Sequence, residues 1–325
     1  MSLATIQQPI EAEFNKFKEY YATLFRSNVP LLDRALAHVG RSSGKMMRPM
    51  LVLLTAKSVA GSVAQCTNYA AASLELLHTA SLLHDDVVDE SPMRRGVPSL
   101  HSLFSNRIAI LAGDYIFSTS LQTAALTKNV EIIENLSLLG QQLSKGELLQ
   151  LQLQNNGGFS EDNYIEVIRN KTASLFATCC RFGALSVGAD EATVEAFARF
   201  GELLGICFQI KYDIFDYYDS SEVGKPTGSD MREGKITLPA LYVLKNSDTD
   251  FAKGLMARLS EGYTMCDAEV AELIALAKSA GGVDYAMSRI EDFRAEALAA
   301  IPSTVTDELR RALTLYLDFA ISRNK

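Results

Sequence analysis

An all-α fold is what this sequence predicts, on three observations. None of the eight prolines lies between Ser99 and Lys225; proline breaks helix interiors, so the gap permits long helices. AASLELLHTASLLHDDVVDE, IAILAGDYIFSTSLQTAAL and EIIENLSLLGQQLSKGELLQLQLQ set apolar residues at helical spacing among Ala, Leu, Glu and Gln. Alternating β-branched patterns bounded by tight turns are nearly absent.

Taken in order, the elements are helices separated by breaks at 60–63, 91–98, 155–160, 220–234 and 245–250. No break reads as an interdomain linker and no fixed-period repeat is present, so residues 1–325 read as a single domain. The stretch 108–116 is apolar over more than one stripe, which predicts a centrally buried helix.

Composition bounds the function. The 325 residues are 48% hydrophobic and 22% charged, enough to build a core and too apolar for disorder of the whole chain. A net charge of −8 disfavours general nucleic-acid binding. The five cysteines, Cys66, Cys179, Cys180, Cys207 and Cys266, form no C-x-x-C pair, which argues against a disulfide framework or thiolate zinc site and fits a reducing cytoplasm. The start lacks a basic stretch followed by an apolar run, so it does not read as a signal peptide. Apolar runs are interrupted at Lys57, Glu75 and Asp114, short of the roughly 18–20 residues of a membrane span.

The chemistry gathers in acidic and basic clusters. His84-Asp85-Asp86-Val87-Val88-Asp89-Glu90 closes an apolar helix, and Asp85 and Asp89, four apart, share a face with Asp86 beside them. A solvated helix end is the ordinary reading of such a string. Three features weigh against it: the turn Leu82-Leu83-His84 buries the helix end, negative charge opposes the dipole there, and Arg94-Arg95-Gly96 follows. Carboxylates without cysteine favour a hard cation, Mg²⁺. His78 and His84, six apart, fall on opposite sides of a helix, which disfavours zinc and makes His84 a packing residue. A second acidic run carries Asp213 and Asp216 on one face, followed by Gly224-Lys225 and Gly234-Lys235 in a loop suited to an anionic group. Lys45 and Arg48 open another helix where positive side chains oppose the dipole unless an anion sits there. Mg²⁺ with Lys and Arg is a recipe for holding diphosphates.

GKMMRP, LLHTASLLHDDVVDESPMRRG, KTASLF, FQIKYDIFDYY and GKPTGSDMREGKITLPA occur in that order. Together they resemble the trans-isoprenyl diphosphate synthases, or polyprenyl synthases, and more closely their long-chain octaprenyl members. The resemblance runs from about Gly44 to Pro239. It implies long helices around a deep central cavity, usually as a homodimer, in a cytoplasmic protein at most peripheral to a membrane. It implies head-to-tail condensation of an allylic diphosphate, farnesyl diphosphate being the expected starter, with isopentenyl diphosphate, using two or three Mg²⁺ ions. Carried over, Asp85 and Asp89 resemble metal ligands with Asp86 in support, and Asp213 and Asp216 resemble ligands of a third metal. Arg94, Lys171, Thr172, Gln209, Lys225 and Lys235 resemble the allylic diphosphate site; Lys45, Arg48, His78 and Arg95 resemble the isopentenyl diphosphate site. The catalytic group so implied is Asp85, Asp86, Asp89, Lys171 and Asp213.

The sequence departs from the family at Tyr212, where an Asp is usual four residues before Asp216. That departure keeps a second reading open, a weakened regulatory subunit. A terpene cyclase is a third, opposed by GKMMRP. Product length is read from the positions four and five before the first motif, where bulky residues stop growth in the family. Here they are the small Ser81 and Ala80. The floor then lies deeper, at helix 132–143, with Leu136 and Leu139 proposed, although both also fit ordinary core positions. A product of octaprenyl length, as in quinone side chains, is expected; a farnesyl or geranylgeranyl product is the alternative.

Overall fold

The computed structural model describes residues 3–41, 44–218 and 227–322. Among these the chain is almost wholly α-helical. Its longest helices lie in or beside the proline-free stretch: Gln65–Val88, Asn106–Ala125, Val130–Asn156 and Glu191–Phe215. The strand pair among the described residues is Met93–Arg94 with Val97–Pro98, antiparallel.

Local chemistry sets the helix ends. Gly61, at φ 71°, ends Met47–Ala60 in the left-handed conformation that glycine tolerates. Ser105 accepts from Ile108 N–H and Ser160 from Asn163 N–H, each satisfying an orphan donor of the first turn. The breaks expected at 60–63, 91–98, 155–160 and 245–250 fall between helices. Residues 220–226 of the break at 220–234 lie outside the described residues. A further break at 126–129 has neither Gly nor Pro: Lys128 takes φ 54° and Asn129 Oδ1 accepts from Glu131 N–H at 2.9 Å.

The chain divides into two compact units, Met1–Gly140 with Thr178–Ala198 and Pro302–Leu315, and Gln141–Ala177 with Arg199–Ile301 and Tyr316–Lys325. In the first, Gln65–Val88 packs against Asn106–Ala125 and Met47–Ala60. Leu51, Leu53, Leu74 and Leu76 are fully buried there, each contributing about 2 kcal/mol by leaving water. In the second, Leu238–Asn246 packs on Gly282–Ala300, and Phe200, Leu204, Ile206, Ile210 and Tyr217 are fully buried.

Two of the charges that interrupt apolar runs have partners within the first unit. Lys57 Nζ lies 2.7 Å from Glu13, and Asp114 lies 3.4 Å from His84 Nε2. His84 is a packing residue: its ring lies against the Gly113 backbone, and Nε2 is 3.3 Å from the Ile110 carbonyl. The helix Asn106–Ala125 departs from the central burial expected of it. Ala109, Ala112 and Ile116 are buried, whereas Ile110, Leu111, Phe117 and Leu121 stand at 43, 57, 40 and 37% exposure. Among the described residues its second apolar stripe is left exposed. Among the described residues no helix is long and apolar enough to cross a membrane.

Candidate active site

The first unit carries the first acidic motif and most of the cations. Asp85 is half-buried and Asp89 exposed at the helix end, and Asp89 N–H donates to the Asp85 carbonyl at 2.8 Å. The two carboxylates therefore project one turn apart, where the helix dipole is negative. Asp86 turns the other way. Only 2% exposed, it accepts from Arg94 Nε at 2.6 Å; burial raises its carboxyl, and the Arg94 bond opposes that rise.

A two-residue turn brings the arginines in. Met93–Arg94 and Val97–Pro98 are joined by Arg95 and Gly96, at φ 52° and 79°, the double left-handed geometry of a type I′ hairpin. Arginine rarely adopts it, and such outliers cluster at functional sites. The Arg95 guanidinium lies against Gly44: a Cβ there would stand 2.5 Å from Nη1, so a larger residue would push the guanidinium aside. Nearby, Met46 at φ 48° leads into Met47–Ala60, with Arg48 in the first turn and Lys45 exposed before it. Glu75, His78, Asp86, Arg94 and Arg95 line one cavity of about 60 Å³. Burial and the fields of Arg48, Arg95 and Arg94 hold His78 well below the usual histidine range, so its imidazole is neutral.

The second unit carries the remaining residues, knitted by hydrogen bonds. Arg169–Ala173 forms a π-helical turn, a local widening often found at functional sites. There Lys171 Nζ reaches Glu147 at 2.8 Å and Gln150 at 3.3 Å. Gly146 lets the backbone of this turn approach, because a Cβ on it would stand 2.8 Å from the Lys171 backbone nitrogen. Thr172 donates to Gln209 Oε1, Gln209 Nε2 donates to Asp213 Oδ1, and Tyr164 donates to Asp213 Oδ2, each at 2.7 Å. Burial, with Asp230 and Asp216 adding to it against those two bonds, pushes the Asp213 carboxyl up to about 7. Asp216 accepts from Ser229 N–H at 2.9 Å and from Asp230 N–H at 3.2 Å. Tyr212 is 42% exposed. Lys235 pairs with Glu233 at 2.5 Å. Lys225 lies outside the described residues.

A divalent cation fits the first motif better than the second. Asp85 and Asp89 supply hard oxygens on one accessible helix face. Asp213 is 4% exposed with both oxygens engaged, so it reads as the anchor of the Thr172–Gln209–Tyr164 network. Any metal contact by Asp213 or Asp216 uses lone pairs left over from these bonds.

Three positions not assigned from the sequence join these sets: Glu75, Tyr164 and Glu147. Glu75 carried a readable signal, a charge in an apolar helix three residues before His78. Tyr164 carried none, being 49 residues from its partner. The chain-length positions differ in burial. Ala80 is 1% exposed, Leu136 and Leu139 are fully buried, and Ser81 is half-buried with its hydroxyl donating to the His78 carbonyl at 2.9 Å.

Comparison with known proteins agrees across the chain. The polyprenyl synthetase family profile matches residues 29–277. An octaprenyl diphosphate synthase of Haemophilus influenzae is 32% identical over 325 residues, covering 100% of this chain and 98% of its own. The crystal structure of a geranylgeranyl pyrophosphate synthase from Bacteroides thetaiotaomicron has a TM-score of 0.83 at 45% identity, with 99% of each chain covered. That of a decaprenyl diphosphate synthase from Rhodobacter capsulatus has a TM-score of 0.89 at 33% identity, with 98% of each covered.

Proposed function

The chain belongs to the polyprenyl synthetase family and is a trans-prenyl diphosphate synthase, and from that premise we propose that it extends an allylic diphosphate, farnesyl diphosphate as the starter, with isopentenyl diphosphate to octaprenyl length for a quinone side chain. The observation that carries the enzymatic reading is the Asp85–Asp89 pair one turn apart beside an Asp86-bound Arg94. The names of similar proteins run from geranylgeranyl to decaprenyl, so the length rests on the small Ala80 and Ser81.

Asp85 and Asp89 are the residues that would hold Mg²⁺, with Asp216 and Asp213 as further donors. Bound there, Mg²⁺ supplies positive charge to the departing diphosphate. Arg94, Lys171, Lys225 and Lys235 neutralise the allylic diphosphate, and Thr172 and Gln209 orient it. Lys45, Arg48, His78 and Arg95 hold isopentenyl diphosphate, neutral His78 as a hydrogen-bond partner. As the allylic C–O bond breaks, its electron pair leaves with diphosphate and the isopentenyl double bond attacks the carbocation. The proton lost from the new unit passes to the released diphosphate. Apolar side chains exclude water, which quenches the cation.

The two units work as one synthase domain, in a cytoplasmic protein at most peripheral to a membrane. A homodimer is the proposed assembly, supported by the uncovered Ile110, Leu111, Phe117 and Leu121. Tyr212 supports a second reading, a subunit that needs an active partner. One experiment separates the two: incubate the purified chain with isopentenyl and farnesyl diphosphates and Mg²⁺ and size the products. Octaprenyl-length product supports the first reading. Geranylgeranyl product overturns the chain length, and no turnover overturns activity of the chain alone.

A further inference from the structure

Glu75 is a buried charge that the proposed reaction does not use. It lies on Gln65–Val88 three residues before His78, on the same face, and both line the cavity under Arg94 and Arg95. It is 6% exposed, and its Oε2 makes no hydrogen bond. A carboxylate so far from water is costly unless cations compensate it. Arg95, from the hairpin tip, lines the same cavity, and Arg48, from the first turn of Met47–Ala60, lies close enough for its field to oppose the cost of that burial. Tyr21, from Glu11–Ala22, faces it as a protonated phenol, its hydroxyl raised by burial and by Glu75.

We propose that Glu75 is the buried counter-ion that positions Arg48 and Arg95 for the diphosphate of the isopentenyl substrate. The proposal rests on the reading of Lys45, Arg48, His78 and Arg95 as that substrate's site. The Arg48 and Arg95 guanidinium groups repel each other, each feeling the other's field. A carboxylate behind them holds both at a fixed spacing, so their donors are preorganised before the ligand arrives. Arg95 is constrained as well by its left-handed backbone and its contact with Gly44. Glu75 acts through the arginines and is a positioning residue.

The sign of one measurement decides the matter. A plain charge count says that removing a carboxylate beside a diphosphate site tightens binding. Positioning says that it loosens binding. We would measure KM for each substrate in the wild type, Glu75→Gln, Glu75→Asp and Arg95→Gln, with melting curves as a check on folding. The expected result is a rise of about tenfold in KM for isopentenyl diphosphate in Glu75→Gln. The allylic KM stays within about twofold, and Glu75→Asp recovers part of the loss. An unchanged or lower isopentenyl KM in Glu75→Gln, with a raised one in Arg95→Gln, overturns the role of Glu75 and leaves the site reading intact. An unchanged KM in Arg95→Gln overturns the site reading and the proposal with it. Equal rises in both KM values mark a general structural loss and also overturn it. If Glu75→Gln does not fold, Glu75→Asp carries the test, with a selective isopentenyl rise expected and an equal rise in both overturning the proposal.

Discussion

Arg94 Nε donates to Asp86 Oδ1 at 2.6 Å, so the middle carboxylate of the first motif holds a cation, a role distinct from the metal binding proposed for Asp85 and Asp89. The three acidic positions should therefore separate in mutagenesis. Asp85→Ala or Asp89→Ala should cut turnover by about 10²-fold or more, the scale of a lost electrostatic contact in the transition state. Asp86→Asn weakens a charge-assisted bond and should cost about tenfold, mainly in the allylic KM. Near-normal turnover in Asp85→Ala or Asp89→Ala, at saturating substrates and Mg²⁺, would remove those residues from the metal site.

His78 predicts an acid-side loss of stability. Its folded-state pKa is depressed below 6.5 by burial first, then by Arg48, Arg95 and Arg94, with Glu75 the opposing charge in the same cavity. Below 6.5 the unfolded chain binds a proton that the folded chain refuses, so this contribution is present above 6.5 and lost as pH falls toward the folded pKa. Urea midpoints should drop between pH 7.5 and 5.5 (about one unit either side of the usual value) in the wild type. They should drop less in His78→Gln. Parallel slopes in the two proteins would show that His78 is not the group responsible.

The fold was legible where helices are long. The proline gap and the apolar spacing give Gln65–Val88, Asn106–Ala125 and Val130–Asn156, because periodicity is a local property of the chain. The hairpin was not. Its strands are two residues each, and its turn is Arg95-Gly96 where Asn-Gly is the readable signal. The first motif was legible as a pair of carboxylates on one face, since spacing alone decides that. The Thr172–Gln209–Asp213–Tyr164 network was not, because tertiary packing, not periodicity, brings Tyr164 to Asp213. The outer stripe of Asn106–Ala125 reads the same in a sequence whether neighbouring helices or a second chain cover it.

Tyr212 gives a gain-of-function test. It is 42% exposed, one turn before Asp216, while the oxygens of Asp213 are engaged by Tyr164 and Gln209. Tyr212→Asp adds a carboxylate on that exposed side. Turnover at limiting Mg²⁺ should rise and the half-saturating Mg²⁺ concentration should fall. If a Mg²⁺ titration of the variant overlays that of the wild type, the metal site is complete without this residue.

Product length should respond to Ser81 more cleanly than to Ala80. Ser81 lies one turn before Asp85 and retains accessible surface. Ala80 lies one turn before His84 and is 1% exposed, on the side where His84 meets Gly113. A ring at Ser81→Phe should block chain growth and shift products toward farnesyl or geranylgeranyl diphosphate with turnover retained. Ala80→Phe should shorten products too, at a cost of about 1–3 kcal/mol from overpacking. Unaltered product lengths in Ser81→Phe, read by chromatography, would exclude this wall of the tunnel.

The left-handed backbone of Arg95 sets protein engineering against function. A side chain other than glycine or asparagine in that conformation costs roughly 1–2 kcal/mol. Arg95→Asn relaxes the Arg95-Gly96 turn toward the sequence that type I′ hairpins favour. It should therefore melt higher than the wild type while losing a cation from the proposed diphosphate site. A selection scored on heat resistance alone would enrich for asparagine here and return sturdy proteins that no longer capture their substrate.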